Sequence, residues 1–194
     1  SFEYFNSDEP IFEELNLSIP KNTHTILTGP NGSGKSTLLG LISGVLYSQK
    51  GTVRCYKKNF GYIGATPLIF TGTIKENILY GNEEHVSDDE IMSYLKKMEL
   101  FKESKRYNLD EIIDNKSLSS GQMQKVSFIR ALVGNVDIML LDESTANLDE
   151  KSRKLIFDIL RNQEISIINS THDPDSFGDV DHRLRIEIID EKRK

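Results

Sequence analysis

The chain has 194 residues, 37% of them apolar and 28% charged, and acids outnumber bases for a net charge of −6. That length can bury a core for one domain or a domain with a subdomain, while interspersed acids and bases leave no basic face of the kind nucleic acid requires, so that partner is excluded. No run approaches the roughly 20 apolar residues needed to span a bilayer, and the single cysteine, Cys55, allows no internal disulfide and fits a reducing compartment.

Ser1-Phe2-Glu3-Tyr4-Phe5 already reads as strand and lacks an initiating Met or signal-peptide layout, so a domain of a longer polypeptide is expected. Residues 1–28 predict short strands in an antiparallel β portion. Ile11-Phe12-Glu13-Glu14-Leu15-Asn16-Leu17-Ser18-Ile19 alternates in its later half, Pro20-Lys21-Asn22 turns, and His24-Thr25-Ile26-Leu27-Thr28 is a buried strand.

Gly29-Pro30-Asn31-Gly32-Ser33-Gly34-Lys35-Ser36-Thr37 follows at once, a glycine, four residues, then Gly-Lys-Ser. A loop that wraps a polyanion with its own amides needs backbone freedom and close approach, which Gly32 and Gly34 allow. Lys35 is placed to reach the β- and γ-phosphates and Ser36 to offer its hydroxyl to Mg²⁺. The helix from Leu38 to Ile42 aims its dipole and free N–H groups at the phosphates. A chance glycine-rich turn is the plain alternative, and strand, loop and helix in register speak against it.

Gly51-Thr52-Val53-Arg54-Cys55-Tyr56 and Phe60-Gly61-Tyr62-Ile63-Gly64 predict two more strands. Thr73 with Glu76 makes a capping box for a short helix, and Ser87 with Glu90 repeats it before the stripe Ile91, Leu95, Met98. From about residue 74 to 133 the chain reads as all-helical. Asn135-Val136-Asp137-Ile138-Met139-Leu140-Leu141-Asp142-Glu143 returns to a buried strand, Asp149 can cap the helix carrying Leu155, Ile156, Ile159 and Leu160, and Ile165 to Ser170 is the next strand. Glu191-Lys192-Arg193-Lys194 reads as a solvated tail. The expected organisation is 1–73 as core with phosphate loop, 74–133 as helical subdomain and 134–194 as returning core.

Alternating helix and buried strand implies a mostly parallel sheet, whose ligands sit at the carboxyl ends of its strands. The phosphate loop, Asp142-Glu143 and His172 all fall there. Ionised carboxylates ending a buried strand are costly unless paired or bound to metal. Beside a phosphate loop, Mg²⁺ explains them: Asp142 holds the ion, directly or through water, and Glu143 faces the water that attacks the γ-phosphate. Two acids that merely meet solvent would be the bland explanation.

Leu118-Ser119-Ser120-Gly121-Gln122, at the start of a helix continuing Met123-Gln124-Lys125-Val126-Ser127-Phe128-Ile129-Arg130-Ala131-Leu132, resembles the signature motif of the ATP-binding-cassette ATPases. The likeness extends over nearly the whole chain and implies an α/β phosphate-loop (P-loop) NTPase, a RecA-like core with an N-terminal antiparallel β portion and an inserted α-helical subdomain. Tyr4 stands where that family places the aromatic that stacks on adenine. Asp142-Glu143 matches its Walker B end, Ser144-Thr145-Ala146-Asn147-Leu148-Asp149 its D-loop, and Ser170-Thr171-His172-Asp173 its switch histidine. Residues 70–78 resemble a segment of exporter-type members.

The resemblance implies ATP and Mg²⁺ as ligands, hydrolysis to ADP and phosphate, and a head-to-tail dimer. In that dimer Ser119, Ser120, Gly121 and Gln122 of one copy close over the phosphate loop of a second nucleotide-binding domain, with Asp149 at the interface and His172 on the γ-phosphate. It implies a transmembrane domain as partner, fused or separate, and a position on the cytoplasmic face of a membrane. His24, His85 and His182 match no motif and are expected at the surface or in the core.

The sequence also departs from the family pattern. The glutamine expected at the end of the strand before the helical insert is Ala65, and no glutamine occurs between Gln49 and Gln122. Slowed hydrolysis is the expectation. Ser120 replaces a glycine, the 51–62 stretch is short, and Asp114-Asn115-Lys116-Ser117 lacks the exporter Gly-Glu-x-Gly. A nucleotide-gated regulatory module with little turnover is therefore a rival. A chromosome-maintenance ATPase would need a coiled-coil insertion that is absent from this sequence, and a phosphate-loop kinase has no use for residues 118–122.

Overall fold

Buried apolar runs become the central strands, and four of the five α-helices among the described residues begin at a side-chain cap. The computed structural model describes residues 1–5, 9–82, 85–101, 107–178, 180–189 and 192–193. In chain order the elements are β1 (His24–Thr28), α1 (Lys35–Ser43), β2 (Phe60–Gly64), β3 (Gly72–Thr73), α2 (Ile74–Leu79), α3 (Asp88–Lys97), β4 (Ile112–Ile113), α4 (Ser120–Val133), β5 (Ile138–Asp142), α5 (Glu150–Arg161), β6 (Ser166–Ser170), β7 (His182–Arg185), β8 (Ile188–Ile189) and β9 (Lys192–Arg193). They fall into two units: residues 1–60, 137–143 and 164–194, and residues 61–136 and 144–163.

In the first unit β5, β6, β1 and β7 lie side by side and run parallel, with Met139 and His24 flanking Ile167 and with Thr25 opposite His182. Every residue of β6 is buried, as expected of a strand covered on both faces. Asp142 stands opposite Ser170, and Ser170 opposite Leu27, so three strands release their chains at one edge of the sheet. Leu27, Leu38, Leu39, Ile138, Leu140 and Ile168 pack with Phe2 and Phe12 into the core beneath that edge. Each such side chain contributes about 1.5–3 kcal/mol by leaving water.

The antiparallel portion at the N-terminus consists of a bridge between Phe2 and Phe12, with the Phe2 N–H donating to the Phe12 carbonyl at 2.8 Å. Residues 51–56, expected as a strand, do not form one. These residues are mostly exposed, and among the described residues no strand pairs with them to supply the ladder hydrogen bonds a strand needs. The alternation has another origin. Leu15, Leu17, Ile19, Val53 and Cys55 all line an apolar cavity of about 480 Å³. Alternate side chains turn inward there without a hydrogen-bonded ladder. At the C-terminus β8 and β9 pair antiparallel where a solvated tail was expected, while Glu191 and Lys194 of that run lie outside the described residues.

In the second unit the capping signals are realised. Thr73 and Glu76 form a reciprocal box at α2, the Thr73 N–H donating to Glu76 Oε2 at 2.7 Å and the Glu76 N–H to Thr73 Oγ1 at 3.0 Å. Ser87 caps α3 by accepting from the Glu90 N–H at 3.2 Å, and Ile91, Leu95 and Met98 are fully buried. Arg130 on α4 donates to the Asn77 carbonyl at 2.8 Å and to the Leu68 carbonyl at 2.9 Å, fixing α4 to the α2 region. The stretch 74–133 is not wholly helical, because β4 pairs antiparallel with β3.

Candidate functional site

The loop after β1 is shaped by glycines that admit no substitute. At Gly29, φ is 152°, and a Cβ would fall 2.5 Å from the Ile186 carbonyl oxygen and 2.7 Å from Ser33 Oγ. At Gly34, φ is 101°, and a Cβ would fall 2.8 Å from Ile11 Cγ2 and 2.9 Å from Phe12 Cζ. Both positions therefore exclude side chains on conformational and steric grounds together. Pro30, Asn31 and Gly32 form the exposed rim, and the Pro30 carbonyl accepts the Ser33 N–H at 3.2 Å.

α1 begins at Lys35 with no side-chain cap, unlike α2 to α5, so no side chain occupies its N-terminal amides. Lys35 is 6% exposed, and its Nζ donates to the carbonyls of Gly29 at 2.9 Å and Pro30 at 3.1 Å. An ammonium held at this loop by two carbonyls suits a polyanion. Ser33 Oγ is buried and finds no hydrogen-bond partner among the described residues. Ser36 is exposed, and Thr37 Oγ1 lies 3.0 Å from the Tyr4 hydroxyl. The Tyr4 ring is 44% exposed and stands edge-on to Phe2 at a centroid distance of 5.0 Å. An aromatic face is thereby tied to the last residue of the loop.

Asp142 and Glu143 leave β5 at the same sheet edge. Glu143 adopts φ 53°, an uncommon left-handed setting for a side-chain-bearing residue, and its N–H donates to the Ser170 carbonyl at 3.0 Å. Its Oε1 lies 2.8 Å from Nε2 of His172. Ser170 is fully buried, and its hydroxyl has no partner among the described residues.

These residues fit a magnesium nucleotide. The cradle leaves no room for side chains at Gly29 and Gly34, Ser33 carries an uncommitted hydroxyl, and Ser36 and Asp142 supply the hard oxygen donors magnesium prefers. Among the described residues there is no group of three or more His, Cys, Asp or Glu that could hold a metal ion.

The signature residues lie in the second unit. Ser119 caps α4 in a reciprocal box with Gln122: the Ser119 N–H donates to Gln122 Oε1 at 2.9 Å, and Ser119 Oγ accepts the Gln122 N–H at 3.2 Å. The serine proton thus stays available for an outside acceptor. Gln122 Nε2 donates to the Leu100 carbonyl at 3.1 Å, so both ends of that amide are engaged within the unit. Ser119 and Ser120 are exposed and Gly121 half-buried.

Lys125, one turn on, is 8% exposed and donates to the Glu99 carbonyl at 3.1 Å. Burial pushes its ammonium down, opposed by Asp149 and Glu99. Asp149 caps α5, accepting the Ser152 N–H at 2.7 Å, and that bond holds its carboxyl below the usual aspartate range. Two contacts escaped the sequence reading. Gln124 Nε2 donates to the Gly64 carbonyl at 3.0 Å and Asn147 Nδ2 to the Ala65 carbonyl at 3.3 Å. Their acceptors are main-chain atoms, which leave no trace in sequence.

Residues 12–146 match the sequence model of a family described as "ABC transporter". The chain is 34% identical over 185 residues to the "ATP-dependent permease MDL1" of Candida albicans, covering 84% of this chain and 27% of that protein. It is 34% identical over 170 residues to "ABC transporter B family member 17" of Arabidopsis thaliana, covering 79% and 14%. It is 31% identical over 190 residues to the "Lactococcin-A transport/processing ATP-binding protein LcnC" of Lactococcus lactis, covering 90% and 26%. The chain thus spans about a quarter or less of the length of these relatives.

Proposed function

The chain belongs to the ABC transporter family, and from that premise we propose that it is the nucleotide-binding domain of an exporter-type transporter, hydrolysing ATP to ADP and phosphate. Tyr4 stacks on the adenine, the Gly29 to Thr37 loop wraps the phosphates, and Lys35 turns from its two carbonyls to the β- and γ-phosphates. Ser36 and Asp142 hold the magnesium ion, which when bound neutralises phosphate charge. Glu143 accepts a hydrogen bond from the attacking water, and His172, through its contact with Oε1, fixes that carboxylate and meets the γ-phosphate. As the water oxygen bonds to phosphorus, its proton passes to Glu143 and the bond to ADP breaks.

The observation that carries this reading is the 2.8 Å contact between Glu143 and His172 at the sheet edge that also bears the phosphate loop. Steady-state phosphate release tests it. Glu143→Gln should abolish turnover and keep ATP affinity; unchanged turnover would remove Glu143 from the chemistry.

The partner in this reading is a second nucleotide-binding domain, packed head to tail. Ser119 and the Gly121 main chain of each copy close the other's site, and ATP joins the two. The exposure of Ser119 and Ser120 and the free serine proton support that role. A transmembrane domain is the other partner, placing this domain on the cytoplasmic face of a membrane. Among the described residues no helix is long and apolar enough to cross one. Ala65 in place of a glutamine slows the hydrolytic step, while the Glu143–His172 pair argues against a module without turnover.

A further inference from the structure

Asn147 occupies a junction that none of the roles above explains. Its Nδ2 donates to the Ala65 carbonyl at 3.3 Å, and its own carbonyl lies 3.4 Å from where a Cβ on Gly121 would sit. One residue back from Ala65, the Gly64 carbonyl accepts Nε2 of Gln124, a side chain with no exposure. Two consecutive carbonyls at the end of β2 are thus gripped by amides, one from α4 and one from the 144–149 loop. The same loop rests on the first turn of α4 at Gly121. It closes on itself through the Leu148 N–H to the Thr145 carbonyl at 3.1 Å and ends in Asp149, the cap of α5.

We propose that Asn147 is a positioning residue, whose amide locks the 144–149 loop and the first turn of α4 to the Ala65 main chain so that Ser119 and Asp149 present one rigid surface to the second copy. The inference rests on the head-to-tail dimer proposed above. Its logic is preorganisation: surface groups already fixed lose less freedom on association. Gln124 is buried and anchors the strand end whatever the loop does, whereas Asn147 is exposed and holds the loop by one side chain. Ala65 cannot make this link with its methyl group, so the main-chain carbonyl is what the loop can grip.

The test uses Asn147→Leu, which keeps the size and removes the donor, and Asn147→Gln, which keeps an amide. Both are placed in Glu143→Gln protein, and ATP-dependent dimerisation is measured by sedimentation beside nucleotide affinity and melting temperature. One lost neutral hydrogen bond corresponds to about threefold to tenfold, so a dimer carrying the lesion twice should weaken about tenfold to a hundredfold in Asn147→Leu. Nucleotide affinity, measured at protein concentrations low enough that the parent is monomeric, should stay within about twofold, and Asn147→Gln should recover most of the loss in dimerisation. Equal dimerisation of parent and Asn147→Leu overturns the positioning role and leaves the dimer standing. A loss of nucleotide affinity and melting temperature in step with dimerisation, or no recovery in Asn147→Gln, also overturns it. If the Glu143→Gln parent stays monomeric with ATP, the dimer reading fails and this inference with it.

Discussion

Oε1 of Glu143 and Nε2 of His172 meet at 2.8 Å although the two residues leave different strands, β5 and β6, of the same parallel sheet. The contact makes them a unit, and residues acting as a unit are not additive in their effects on rate. His172→Ala should lower phosphate release by about a hundredfold to a thousandfold. Combined with Glu143→Gln, it should lower the rate little beyond Glu143→Gln alone. A double variant whose loss equals the product of the two single losses would mean the groups act independently.

Ala65→Gln should raise turnover. If the missing amide behaves like one aimed hydrogen-bond group in a transition state, its return is worth on the order of 3 kcal/mol, or about a hundredfold. The Ala65 carbonyl, on which Asn147 depends, is retained in this variant. Turnover unchanged by Ala65→Gln would show that the position is idle here.

Asn169 is fully buried in β6 opposite Ile26 and Leu141, and neither its Oδ1 nor its Nδ2 has a partner among the described residues. A buried polar group left unpaired costs about 1–3 kcal/mol. Asn169→Val replaces it with a residue of similar bulk and better strand fit. Denaturant unfolding should report a gain of that order. A variant no more stable than the parent would show that Asn169 meets its hydrogen-bonding needs in solution.

The carboxyl of Asp149 is held below its ordinary range chiefly by the Ser152 N–H. A carboxyl whose pKa is lower folded than unfolded adds stability above its unfolded value, about 3.9, and that contribution fades as pH falls through the folded value. Removing the cap with Asp149→Ala should cost about 1 kcal/mol at neutral pH. The difference from the parent should shrink below about pH 4. A stability gap that stays constant down to pH 2 would assign the effect to something other than the charged cap.

What could be read directly from the chain was local. The phosphate loop is legible because its glycines, Lys35 and Ser36 keep a fixed spacing within one continuous run, and the caps at Thr73, Ser87 and Asp149 each join residues three apart. Such features are fixed by covalent spacing, whatever the rest of the protein does.

Tertiary structure decided what spacing cannot express. The alternation of Leu15, Leu17 and Ile19 was equally compatible with a paired strand and with a lining for a cavity, and Gly51 to Tyr56 had strand composition but pair with no strand among the described residues. Parallel register set Asp142 beside Ser170 and so brought Glu143 to His172. The grip of Asn147 on Ala65 needed a carbonyl that every residue carries, visible only once the backbone was placed. A side chain's local conformation depends on its nearest neighbours along the chain, whereas its long-range partner depends on how the whole sheet closes.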